Sequence, residues 1–282
     1  MIHEPPDKPS TLCHFRTFAA EWRGGRNETD VYDLLYGRLR FTSVDKFNDP
    51  FEARPQLVAA FADPIKQKWA MHQYLEGVAR RAGAPDPKAW AVTRIAGKST
   101  QEVLDEFSEM LGREHLRSDL RLLCLSEGVA VTKPLLWSHY ADSHRGVCIH
   151  FDPTLAPLRF SYPVKYCVEY PKLVLPRTHQ QDWDAVQNQL LSKCDDWKYE
   201  REWRVIRSRL QPGGFADTLM TEWDGDIAIA RGEIVKAITL GARMSEQVRS
   251  RLKAWVRTNV PHVEVWQARL HRSRFEVERE RE

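Results

Sequence analysis

Trp197-Lys198-Tyr199-Glu200-Arg201-Glu202-Trp203-Arg204-Val205-Ile206 is the stretch on which the reading of this chain turns. Taken as one strand, its side chains alternate between two faces. Trp197, Tyr199, Arg201, Trp203 and Val205 share one face, mostly rings that gain from burial. Lys198, Glu200, Glu202 and Arg204 share the other, which sets two carboxylates side by side between two cations. A strand holds an acid more firmly than a loop does, so Glu200 and Glu202 are candidate catalytic groups. The plainer reading is the wet face of an amphipathic strand, because exposed charge rows are common.

Working outward, Thr11 to Arg16 reads as an early strand with His14 and Arg16 on one face. Asn27 is placed to cap a short helix through Val31, Leu34 and Leu35 that ends at Gly37. Leu39 to Ser43 is a second strand, running into the turn-forming Phe47-Asn48-Asp49-Pro50-Phe51-Glu52. From about 64 to 118 the spacing of Ile65, Trp69, His72 and Leu75, then of Val103, Phe107 and Met110, predicts a helical insertion covering one side of a sheet. Leu122 to Ser126 reads as a buried strand, and Pro134 as the first residue of a short helix bearing Trp137, His139 and Tyr140. Strands at Val147 to Phe151 and Val164 to Val168 follow, then a helix through Trp183 and Leu190. Ile234 to Gly241, Met244 to Val256 and His262 to Trp266 read as strand, helix and strand. Connections too short for βαβ crossovers predict an α+β fold with a mixed, mostly antiparallel sheet and flanking helices. One domain is expected over 1–268, with 269–282 a charged tail that is frayed or a surface helix.

Composition narrows the function classes. The 282 residues are 42% apolar, enough for a core, and the net charge of +3 is far from that of a protein gripping nucleic acid by its phosphates. Cys13, Cys124, Cys148, Cys167 and Cys194 form no CxxC pair and read as reduced thiols in the cytosol. Cys148 and His150 share a strand face, but no second ligand pair has zinc-like spacing, so no metal site is expected. The first residues lack a signal-peptide pattern and no window resembles a membrane span, so a cytoplasmic protein without membrane contact is expected. GxGxxG and GxxxxGK[ST] motifs are absent.

Four blocks in order resemble a bacterial family known only as a domain of unknown function. They are His14-Phe15-Arg16, Phe47-Asn48-Asp49-Pro50-Phe51-Glu52, Leu136-Trp137-Ser138-His139-Tyr140-Ala141 through Gly146-Val147-Cys148, and Trp197 to Arg204. The layout of strands is also similar to that of ADP-ribosyltransferases, mixed α+β proteins whose split sheet binds NAD without a Rossmann fold. That resemblance implies an NAD-consuming transferase or glycohydrolase of the toxin or phage-defence kind, with NAD as substrate and an unspecified macromolecular acceptor. It implies Arg16, with His14 beside it, on the pyrophosphate and Ser43 on the nicotinamide ribose. Glu202 would stabilise the cation formed as nicotinamide leaves, and Glu200 would steer the nucleophile. The subunit number stays open.

Asn48 and Asp49 could line a pocket edge from their turn, and His139 and Tyr140 could reach a small-molecule nucleotide if they face the cleft. Two other readings compete. The arginine-rich Glu202 to Arg209 stretch suggests a nucleic-acid-binding protein or nuclease. Alternatively, a non-catalytic binding module would hold Glu200 and Glu202 in ion pairs with Lys198, Arg201 or Arg204.

Overall fold

The computed structural model describes residues 8–18, 26–53, 56–110, 120–175, 187–208, 222–230 and 233–282. The chain divides into two compact units. One comprises Met1–Ser43, Leu120–Val164 and Asp196–Glu282; the other comprises Val44–Asp119 and Lys165–Asp195.

In the first unit, β1 (Leu12–Arg16) precedes α1 (Arg26–Leu35) and β2 (Arg38–Arg40). Asn27, expected as the cap of α1, lies inside its first turn. Gly37 sits at φ 75°, a left-handed conformation glycine adopts without a Cβ penalty, and turns the chain into β2. In the second unit, β3 (Gln56–Ala59) is followed by α2 (Pro64–Arg81), α3 (Pro87–Ile95) and α4 (Thr100–Met110). Asp63 and Asp86 cap α2 and α3 through their carboxylates, each just before a proline at the first helical position. Back in the first unit come β4 (Leu120–Glu127), α5 (Pro134–Tyr140), β5 (Val147–Phe151) and β6 (Tyr162–Pro163). The second unit then adds β7 (Lys165–Cys167), β8 (Lys172–Leu175) and β9 (Ser192–Cys194). The first unit closes with β10 (Glu202–Ser208), β11 (Glu222–Asp224), β12 (Ile227–Ile229), β13 (Val235–Leu240), α6 (Glu246–Asn259), β14 (Glu264–Leu270) and β15 (Val277–Arg281).

The main sheet has the order β15-β14-β13-β5-β1-β4-β10-β6, antiparallel throughout except for β13 with β14. That is the expected α+β class. A second sheet, β11-β12-β2, belongs to the same unit, whereas β3 with β8 and β7 with β9 form parallel pairs in the other. All five residues of β5 are buried, as an uninterrupted Val-Cys-Ile-His-Phe run at the sheet centre requires. One face of the sheet packs Leu12, Leu125, Ile149, Trp203 and Ile238 with residues of α1 and α6. The other packs Cys13, Phe15 and Cys148 with Leu136 and Trp137 of α5.

Three further expectations are corrected. The residues after Arg269 are neither frayed nor helical: β15 pairs with β14, because alternating Val277, Arg279 and Arg281 suits an edge strand. The strand expected over 164–168 parts at Val164, whose amide bonds Glu202 while Lys165 bonds Leu191. On α2 the buried ridge is Gln67, Met71, Leu75 and Ala79, spaced by four, leaving Ile65 and Trp69 exposed at 83% and 66%. The side chains of Phe107 and Met110, and the region around Trp183, lie outside the described residues. No helix among the described residues is long and apolar enough to cross a membrane.

Candidate functional site

The feature that organises the site is a split in the main sheet. β1 pairs with β5 along its whole length but with β4 only at Leu12↔Glu127 and Cys13↔Ser126. Beyond that point the two strands part. Further along β4 the neighbour is Thr42, which exchanges two 2.8 Å backbone bonds with Leu122. Antiparallel residues bond alternately to either side, so the Cys124 peptide, two residues from Leu122, faces the split. His14 fills part of it by a hydrogen bond to the Cys124 backbone.

Two side-chain nitrogens in this split have no hydrogen-bond partner among the described residues and no solvent contact: His14 Nε2 and Arg16 Nε. Burial, and then the charge of Arg16, lowers the His14 pKa well below its usual value, against the opposing bond to Cys124. His14 is therefore neutral at pH 7. With its other ring nitrogen donating to a carbonyl, Nε2 carries a lone pair and acts as an acceptor. Burial is also the chief influence lowering the Arg16 pKa, with Asp30 and the Cys124 thiol raising it and Arg40 lowering it. Arg40 is exposed and makes no ion pair among the described residues. Arg16, with Arg40 near enough to act on its charge, thus lies beside a neutral imidazole where β1 has left β4. Sequence reading paired His14 with Arg16 by alternation; it missed Arg40, Cys124 and Asp30, which only the fold brings there.

The double-glutamate stretch is not one strand. Asp195–Glu200 is a 3-10 helix, Arg201 takes φ 47°, and β10 starts at Glu202. The left-handed residue interrupts the alternation, so Glu200 and Glu202 do not share a pleat. Glu200 is 4% exposed and accepts a 2.7 Å bond from the Tyr140 hydroxyl. Glu202 is 5% exposed and receives both Nε and a terminal amino group of Arg204, at 2.8 and 2.9 Å. Such a two-pronged bond fixes the carboxylate in place. Arg201 turns outward and pairs with Glu127, which also accepts from Trp203 Nε1.

The register decides which candidates meet. Glu202 stands opposite Ser126, and Ser126 opposite Cys13. His14 and Arg16 alternate with Cys13, so their side chains leave the sheet from the face opposite that of Glu202. The expected convergence of Arg16, Ser43 and Glu202 on one crevice is therefore replaced by two groupings. Tyr140 joins Glu200, and His139 of the same helix lies against Trp197 at 6.1 Å. Ser43 is buried and follows Thr42 along β4, away from Cys124. In the second unit, Asn48 is exposed, and Asp49 is buried with Oδ1 closing a turn onto the Phe51 amide at 2.8 Å. No cluster of three or more metal-binding side chains occurs among the described residues.

The Trp137 to Gly146 block has a structural task. Trp137 is fully buried, donates to the Val131 carbonyl at 2.7 Å and meets Phe15 edge-on at 5.2 Å. Asp142, Ser143 and His144 all take positive φ, reversing the chain into β5. At Gly146 a Cβ would sit 2.1 Å from the Arg16 carbonyl, so only glycine lets β5 begin this close to β1.

The stretch from this block to the double-glutamate segment, residues 136–205, matches the model of a family described as Protein of unknown function (DUF2971). Comparison with curated proteins and with solved structures finds no match.

Proposed function

We propose that this chain binds a nucleotide-type ligand in the split between β1 and β4. The phosphate would lie against Arg16 and Arg40, and a ribose hydroxyl would donate to His14 Nε2. The observation that carries this reading is the pair of sealed nitrogens without a partner among the described residues, His14 Nε2 and Arg16 Nε, with Arg40 acting on the Arg16 charge. A buried guanidinium nitrogen left without an acceptor is costly, and a phosphate oxygen offsets that cost by a charge-assisted bond. An imidazole lone pair needs a donor, which a hydroxyl supplies. NAD is the ligand that the transferase-like layout implies, and the parting of β1 from β4 is in keeping with it. The ADP-ribosyl transfer step is less well supported, because both glutamates are occupied by protein partners, as a non-catalytic binding module would have them.

The test is calorimetric titration with NAD, ADP-ribose, pyrophosphate and adenosine. NAD and ADP-ribose should bind, adenosine far more weakly, and Arg16→Gln should weaken the first two by at least about tenfold, the loss of one charge-assisted contact. If neither NAD nor ADP-ribose binds, the reading is lost. Nicotinamide release from labelled NAD separates binding from transfer: release that disappears in Glu202→Gln would restore the catalytic role of that acid.

A further inference from the structure

The parallel pair β7 and β9 sets Cys167 directly opposite Cys194. Directly paired residues of neighbouring strands project from the same face, and their Cα atoms stand about 4.8 Å apart. Disulfides span Cα separations of roughly 4.4–6.8 Å, so no backbone movement is needed to join these two. Both thiols are free, and both are partly exposed. They line one cavity of about 310 Å³ with Phe51, Val168, Tyr170 and Ser192, all within the second unit. Phe51, Val168 and Tyr170 are exposed at 61%, 90% and 40%, so the cavity is reached from solvent across an apolar rim. Burial, and then the neighbouring Cys194 and Asp195, raise the Cys167 pKa above the usual thiol value. Cys13 and Cys148 are also neighbours, their thiols hydrogen-bonded to each other, but both are sealed in the core out of reach of a small disulfide.

We propose that Cys167 and Cys194 are a vicinal dithiol, a modification site that closes to a disulfide by exchange with a small-molecule disulfide. In the first step one protein thiolate attacks a sulfur of the small disulfide; its S–S bond breaks and the departing thiolate takes up a proton. In the second, the other protein thiol, having given up its proton, displaces the remaining half. Two protein thiols are oxidised, and one small disulfide is reduced to two thiols. The apolar rim suits an organic disulfide of peptide size. The site is independent of the nucleotide reading.

The full chain is incubated with oxidised glutathione, quenched in acid and mapped by mass spectrometry of unreduced peptides. The expected product is one intramolecular Cys167–Cys194 link, with two thiols lost and Cys13 and Cys148 unmodified. In Cys194→Ser the reaction should stop after the first step, leaving one glutathionyl group on Cys167. A wild-type protein that stays fully reduced, or that carries glutathione at either position without the link, overturns the proposal. The wild-type map decides by itself should the variant fail to fold.

Discussion

Arg204 is fully buried on a strand that also carries its partner, Glu202. Two charges so placed have given up their hydration, and removing one strands the other. Arg204→Met should therefore lower stability by roughly 3–5 kcal/mol in urea unfolding, while the double change with Glu202→Leu recovers much of that loss. Tyr140→Phe removes one donor from buried Glu200 and should cost about 1–3 kcal/mol. These partnerships were half legible. The spacing Glu202-x-Arg204 puts both on one face of any strand. Nothing local marks Arg201 as left-handed, because arginine has no preference for positive φ, so the break between Glu200 and Glu202 could not be read. The Tyr140 to Glu200 bond joins segments sixty positions apart, and a single sequence carries no register between them.

Among the elements, the strands and helices near the site follow from periodicity and caps, since β5, β13 and α6 match apolar patterning on either side of Gly241. Pairing is what patterning omits: no spacing tells that β1 leaves β4 after two residue pairs or that Thr42 takes the same edge at Leu122. Gly146→Ala tests how tightly this corner is set. The added methyl would meet the Arg16 carbonyl at 2.1 Å, and backbone must shift to admit it. Overpacking of this kind costs typically about 1–3 kcal/mol. Because the displaced carbonyl belongs to Arg16, the proposed NAD binding should weaken with it in calorimetry.

For the whole molecule, buried histidines set the response to acid. His150, 2% exposed and hydrogen-bonded to Thr239 at 2.8 Å, has its pKa lowered to about 3 by burial and then by Arg279. The folded state keeps it neutral while the unfolded chain titrates near its usual value, so the unfolded state binds more protons in between. Its contribution is complete above about pH 6.5 and is lost as pH falls toward about 3. From pH 7 to pH 5 that amounts to about 2 kcal/mol, with His14 adding in the same direction. Urea midpoints measured at the two pH values should show this loss, and His150→Gln should remove part of it. The net charge of +3 sets a second expectation at this scale: no salt-dependent retardation of DNA or RNA at physiological ionic strength.

Where neither β1 nor Thr42 pairs with β4, an interior strand acquires a short length of rim, and His14 rather than a neighbouring strand meets its Cys124 peptide. The proposed ligand would thus be met by main chain as much as by side chains. Cys124→Ala should then be tolerated there, because a side-chain substitution leaves the main-chain carbonyl in place, whereas proline at the same position would remove the amide donor of that rim.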